Sequence, residues 1–154
     1  MTTIRQAVLA VLTGDATLAA LATGGIHDDD SLDNRNGLTP AALQATGSPL
    51  IRPGIYIGWT TSDPFGTNDA TLHAERAFFE VYFYQHEGYD VITTMRDRVK
   101  RLLHQQRVSF DTPTNQYNHA ILWAGDVLNM KDDEMAGASM ERTRFEVHIR
   151  RLDY

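Results

Sequence analysis

The stretch from His73 to Gln106 restricts the folding of this chain more than any other. Ala74 to Gln85 reads as one long strand, in which Phe79, Val81 and Phe83 alternate with Phe78, Glu80, Tyr82 and Tyr84. That period of two assigns the more uniformly apolar set to one face of a sheet. After a break at Glu87-Gly88, the residues Ile92, Met95, Val99, Leu102 and Leu103 recur at helical spacing over roughly Tyr89 to Gln106, with Arg96, Arg98, Lys100 and Arg101 directed elsewhere. Each element has one apolar side to bury, so the helix is predicted to lie across the Phe79/Val81/Phe83 face. This unit is a scaffold, with no constellation of residues that suggests chemistry.

The remaining chain supplies partners for it. Thr3 and Gln6 have capping-box spacing, followed by Ile4, Val8, Val11 and Leu12 on one face, which predicts a helix from about Thr3 to Thr13 stopped by Gly14. Asp15 caps a second short helix carrying Leu18, Leu21 and Ala22, ended by Gly24-Gly25. Composition then turns polar, and the segment at about 27–48 is expected to be a projecting loop or arm, with one helical turn begun by Thr39-Pro40 and Leu43 facing inward. A strand from Ile55 to Thr60 follows, with Ile55, Ile57 and Trp59 alternating, and then a type I turn at Asp63-Pro64-Phe65-Gly66. Beyond the long helix come a brief strand at Arg107 to Phe110 and a strand from His119 to Met130 partly covered on both faces. An acidic loop at Lys131 to Glu134 leads to a last strand from Met140 to Leu152, half-buried through Phe145, Val147 and Ile149. Only one helix lies between strands. The expected fold is a single α+β domain: an antiparallel sheet of about four strands, a long helix packed on one face and a short N-terminal helical pair.

Charge and motifs exclude several functions. Among 154 residues, 14 are basic and 20 acidic, giving a net charge of −6, the wrong sign for gripping phosphates over a broad surface. There is no cysteine, which removes disulfides, thiolate metal sites and cysteine nucleophiles. No signal peptide is expected, and no apolar run approaches the ~18 residues of a membrane span. Neither a Gly-x-Ser-x-Gly elbow nor a phosphate-binding glycine loop is present. The densest set of metal-ligand types, His27-Asp28-Asp29-Asp30, lacks the alternating oxygen ligands of a calcium loop, and consecutive side chains splay apart, so it reads as a solvated acidic loop. Glu80 and Glu146 read as exposed strand residues. Catalytic residues, cofactors and metal ligands are therefore all assigned as none. More informative are Tyr56, Phe78, Tyr82 and Tyr84, which fall on the second face of the sheet. Such an aromatic surface suits a subunit interface. Cover by the two N-terminal helices is the alternative.

The layout also resembles a known family. The residues that carry the resemblance are Ile4-x3-Val8 through Asp15-Ala16-Thr17-Leu18-Ala19-Ala20-Leu21, the Gly25-Ile26 exit, Pro53-Gly54-Ile55-Tyr56-Ile57 and Ala77-Phe78-Phe79-Glu80-Val81-Tyr82-Phe83. The helix near Tyr89 to Leu103 and the late strand Arg144-Phe145-Glu146-Val147-His148-Ile149 complete it. In this order they are similar to the tail-terminator or tail-completion proteins of long-tailed bacteriophages, although the Asp28 to Ser48 segment is longer than that pattern. The resemblance implies a non-enzymatic virion protein, assembled in the host cytoplasm, that forms a homo-oligomeric ring, commonly a hexamer, on the head-proximal end of the tail tube. Its implied partners are the tail tube protein and a neck or connector protein, with DNA passing through without specific binding and no membrane involved. On this reading Tyr56, Phe78, Tyr82 and Tyr84 serve the subunit interface, and the loops with Asp28, Asp29 and Asp30 or Asp132, Asp133 and Glu134 face the bore or a rim. The rival readings are another neck component, such as a head-completion or connector ring, and a small metal-dependent enzyme built on His27 and its neighbouring aspartates.

Overall fold

Phe79, Val81 and Phe83 project from the middle strand of a sheet onto the long helix Asp90–Leu103, and the rest of the molecule is arranged around that contact. The computed structural model describes residues 3–30, 38–64, 72–108, 117–118 and 120–152. In chain order these form α1 (Ile4–Thr13), α2 (Ala16–Leu21), β1 (Ile26–Asp28), α3 (Pro40–Leu43), β2 (Gly54–Pro64), β3 (Leu72–Gln85), α4 (Asp90–Leu103), β4 (Tyr117–Asn118), β5 (Leu122–Asp132), a 3-10 turn (Asp133–Met135) and β6 (Ala138–Leu152).

One mixed sheet has the order β1-β2-β3-β6, with β4 and β5 both on the far side of β6. The sheet thus has five positions, the last filled by two collinear strands. Every pairing is antiparallel except β1 with β2. The α+β class and antiparallel sheet hold, and the extra strands come from segments too short to show a period of two: β1 has three residues and β4 has two.

The helix face of the sheet is the core. Ile92, Met95, Val99 and Leu103 of α4 pack on Phe79, Val81 and Phe83, with Ile55, Ile57, Phe145 and Val147 from the flanking strands. Register places Trp59, Phe79 and Phe145 side by side across β2, β3 and β6. Their ring centroids lie 4.6 Å and 5.3 Å apart, and each such cross-strand aromatic pair adds roughly 0.5–1.5 kcal/mol beyond its buried area.

Helices α1 and α2 lie on this same face, with Val8, Leu12 and Leu18 fully buried in the same core. Thr3 and Gln6 form both halves of the capping box that starts α1. Asp15 caps α2 by accepting from the Leu18 N–H at 2.8 Å, and it also takes two hydrogen bonds from Arg98 of α4 at 2.9 and 2.5 Å. One carboxylate thereby fixes the N-terminal pair to the long helix. These helices do not cover the second sheet face.

Among the described residues that second face is covered at one end, by the segment around α3 and by the β5–β6 turn. Leu43 and Ile51 form a small cluster there with Tyr84, Met135 and Met140. Leu43 approaches Gly54 so closely that a Cβ at Gly54 would meet it at 2.5 Å, so β2 needs glycine where it starts. The described parts of the 27–48 segment therefore lie against the body: β1 pairs with β2, and Thr39-Pro40 begins the expected helical turn with Leu43 buried, although the Thr39 side chain makes no capping hydrogen bond. The apolar residues Leu38 and Leu43 hold it down. Residues 31–37 fall outside the description.

Two further expectations change. Asp63 and Pro64 belong to β2 instead of opening a turn, because β1 pairs only with Ile55 to Ile57, leaving the distal half of β2 at an edge that tolerates proline. The other turn residues, Phe65 and Gly66, and the strand proposed to reach Phe110 lie in part outside the described residues. Strand β5 begins at Leu122, and its cover is only partial, since Leu122, Trp123, Val127 and Leu128 are 37%, 44%, 39% and 48% exposed. Among the described residues it pairs only with β6.

This packing separates two apolar substitutions sharply. Phe79→Ala should lower unfolding free energy by about 3–5 kcal/mol in urea titrations, whereas Leu128→Ala should stay within about 0.5 kcal/mol of wild type. Comparable losses would contradict the arrangement.

Candidate functional site

Three of the four aromatics on the outer face converge, and they do so beside two of the acidic residues singled out from the sequence. Tyr56 and Tyr82 are cross-strand neighbours with ring centroids 5.9 Å apart, and Gly58 beside them leaves room for both rings. Together with Tyr84, Asp132 and Glu134 they line an open cleft of about 140 Å³, closed at its ends by Leu38 and Met135. The β5–β6 turn brings the acidic pair there: the Asp132 side chain accepts from the Glu134 N–H at 3.0 Å, and Ala136 and Gly137 take positive φ to reverse the chain.

Each tyrosine hydroxyl donates to a carboxylate. Tyr84 donates to Asp132 at 3.2 Å, Tyr82 to Glu80 at 2.8 Å and Tyr56 to Asp29. Burial, reinforced by these carboxylates, raises the pKa of all three phenols above its ordinary value. The hydroxyls therefore stay protonated donors near neutral pH, and negative charge in the cleft comes from the carboxylates. Phe78 is not part of this group. It is nearly buried under two guanidinium groups, with Arg144 4.2 Å and Arg76 5.0 Å from its ring centroid.

The first acidic cluster is dispersed. Asp28 is buried in β1, Asp29 accepts from Tyr56 and from the Trp59 N–H at 3.2 Å, and Asp30 is exposed in the following turn. His27 turns back to the Gly24 carbonyl, 3.0 Å from Nε2. Among the described residues no three His, Asp or Glu side chains converge as metal ligands. Glu80 and Glu146 are not fully exposed as expected: Glu80 accepts from Tyr82 and lies 3.7 Å from Arg142, and Glu146 lies 3.8 Å from His148. Among the described residues no helix is long and apolar enough to cross a membrane.

The sequence reading missed the polar seam between α4 and the β5/β6 edge. Arg96 and Lys100, one turn apart, do not point away from the sheet. Arg96 pairs with the buried Glu141 of β6 and lies 3.8 Å from Asp126, while Lys100 donates to Asp126 at 2.5 Å. Asp126 also accepts from Thr143 at 2.7 Å and from the Trp123 indole N–H at 3.1 Å, and the Lys100 ammonium sits 4.2 Å from the Trp123 ring centroid. The i, i+4 spacing of Arg96 and Lys100 hinted at this, but only the strand register shows which carboxylates they reach.

No family model and no curated protein matches the chain. Its fold is shared with a chain from the virion of a native gene transfer agent (GTA) particle, with a TM-score of 0.61 over 97% of this chain and 95% of that one, at 14% sequence identity. At that identity the likeness is one of fold.

The seam predicts an acid-sensitive edge. Although burial opposes it, hydrogen bonds from Lys100, Thr143 and Trp123 hold the Asp126 carboxyl below its ordinary pKa. The unfolded chain then takes up the proton first on acidification. Stability from this site is complete above about pH 4 and is lost as pH falls through the depressed folded value. Asp126→Asn should cost about 1–3 kcal/mol at neutral pH and flatten that acid dependence, as read from urea midpoints between pH 3 and 7. An unchanged acid slope in the variant would refute the assignment.

Proposed function

We propose that this chain is a non-enzymatic structural protein of a phage-like virion. The observation that carries the reading is the fold shared along nearly the whole chain with a chain of the gene transfer agent virion, with equal coverage of both. More narrowly, the chain acts as a tail terminator. It forms a ring, commonly hexameric in such proteins, on the head-proximal end of the tail tube, stops tube growth and offers a surface to the neck or connector. A closed ring needs two different patches on each subunit in head-to-tail contact. This chain has two contrasting ones, the acidic tyrosine cleft and the exposed apolar edge at β5.

On this reading the exposed Asp30 and Asp133 lie on the bore or a rim, where a negative lining lets DNA slide because it offers no cationic phosphate contacts. A head-completion or connector ring would use the same fold and is distinguished by which end of which particle the protein occupies.

Purified protein mixed with assembling tail tubes and imaged by negative stain should cap one end of each tube and shorten the tubes. Uncapped tubes of unrestricted length would refute termination. Asp30→Asn with Asp133→Asn should reduce infectivity without loss of capping, and unchanged infectivity would remove the bore assignment.

A further inference from the structure

The aromatic row across the helix face does not end inside the protein. Beyond Trp59, Phe79 and Phe145, the strand register continues to Trp123 of β5, which is 44% exposed. Of the five large hydrophobic side chains exposed among the described residues, four are on this one strand. Soluble edge strands are usually masked by outward charges. Between Leu122 and Met130 the charged residue is Asp126, and it is turned inward onto Lys100 and Thr143. The strand is guarded differently, by breaks in register between Trp123 and Gly125 and between Val127 and Met130. These breaks prevent a second strand from adding along its whole length and leave the side chains as the contact surface. Around Trp123 lie Lys100, already paired with Asp126, His104, whose Nδ1 accepts the Trp123 N–H, and the exposed cation Arg101.

The tyrosine cleft has the opposite character. Its walls are three tyrosine rings with Leu38 and Met135, polar groups make up much of its open surface, with Asp132 and Glu134 at the rim, and its volume of about 140 Å³ has room for one side chain. Trp123 and the cleft do not meet within one chain, although Leu122 and Val127 lie on the cleft's own face of the sheet, paired with Glu146 and Arg142. Trp123 pairs with Phe145 on the helix face, while Asp132 pairs with Ala138 beside the outer-face cleft. Seven residues of strand, about 20 Å, separate them.

We propose that the β5 edge of one copy docks against the tyrosine cleft of a second copy. An apolar side chain from the Leu122–Leu128 ridge fills the cleft, and Arg101 meets the Asp132/Glu134 rim. The contact is heterologous, with ridge and cleft on different sites of each subunit, so repetition gives a ring when the rotation closes. The assignment rests on the ring reading above and names its subunit contact.

The test measures self-association by light scattering in solution and by capping of tail tubes, with circular dichroism and thermal melting showing that each variant folds. Leu128→Asp and Glu134→Arg alter exposed positions, and each should weaken association at least tenfold, the loss of a central contact. Adding Arg101→Glu to Glu134→Arg reverses both charges across the proposed contact and should restore most of it. Folded Leu128→Asp or Glu134→Arg protein that assembles like wild type overturns the contact while leaving the ring reading in place, as does failure of the double variant to recover. Wild-type protein that associates neither in solution nor on tubes overturns both.

Discussion

Burial of Phe79, Val81 and Phe83 beneath α4 is the contact on which the other contacts depend. Strand β3 lies between β2 and β6 and pairs with both along most of its length, so its register sets theirs. Fixing which face of β3 is dry also fixes the faces of Ile55 and Ile57 on β2 and of Phe145 and Val147 on β6, because a slip of one residue would turn each set outward. Helices α1 and α2 then have a surface to join, and the Asp15–Arg98 pair sets where they join it. A single ion pair at a partly exposed site contributes little to stability. Its value here lies in position, since the same carboxylate is committed to the α2 N-cap and cannot follow Arg98 elsewhere.

Away from this core the sheet is held by polar groups, and their placement follows the supply of apolar cover. Helix α4 is too narrow to shield all the strands, and at its β5/β6 side it presents Arg96 and Lys100 instead of leucines. Glu141 and Thr143, buried on β6 under this side, would be costly without their partners, Arg96 for Glu141 and Asp126 for Thr143. Supplying a cation for each carboxylate makes the seam neutral and keeps β5 attached while its outer edge stays open. On the opposite face the tyrosines play the equivalent part. Their rings supply area where no helix lies, and their hydroxyls satisfy Asp29, Glu80 and Asp132.

Much of this was legible in the sequence, and the boundary has a physical basis. The core positions of β3, α4 and β6 follow from periods sustained over several residues, and the caps at Thr3 and Asp15 from local chemistry that needs no tertiary context. Strand β1 was hidden because three residues carry no period, and β5 was misread because its two bulges change which face each residue meets. The convergence of Tyr56, Tyr82 and Tyr84 could be anticipated from strand phase. Their meeting with Asp132 and Glu134 could not, because it depends on β5 and β6 forming a hairpin that folds back beside the start of β2. Phe78 shows the limit of phase alone: it shares the tyrosines' face but is capped by Arg76 and Arg144, which come from its own and the neighbouring strand.

The irregularity of β5 bears on how such a chain can associate without aggregating. A flat apolar edge of 11 residues would pair with any other open strand and grow without limit. Gly125 at φ +129° and Asn129 at φ +55° use backbone conformations that few other residues adopt readily, and they break the ladder at two points. What remains is a row of side chains whose fit depends on shape and charge, so a partner must present both an apolar recess and a carboxylate rim. A ridge-and-cleft contact also leaves a free ridge and a free cleft at its two ends, but its fixed rotation can close a ring, whereas backbone pairing at a flat edge accepts any open strand. On the proposed contact, β5 avoids open-ended backbone pairing by disrupting its own strand geometry.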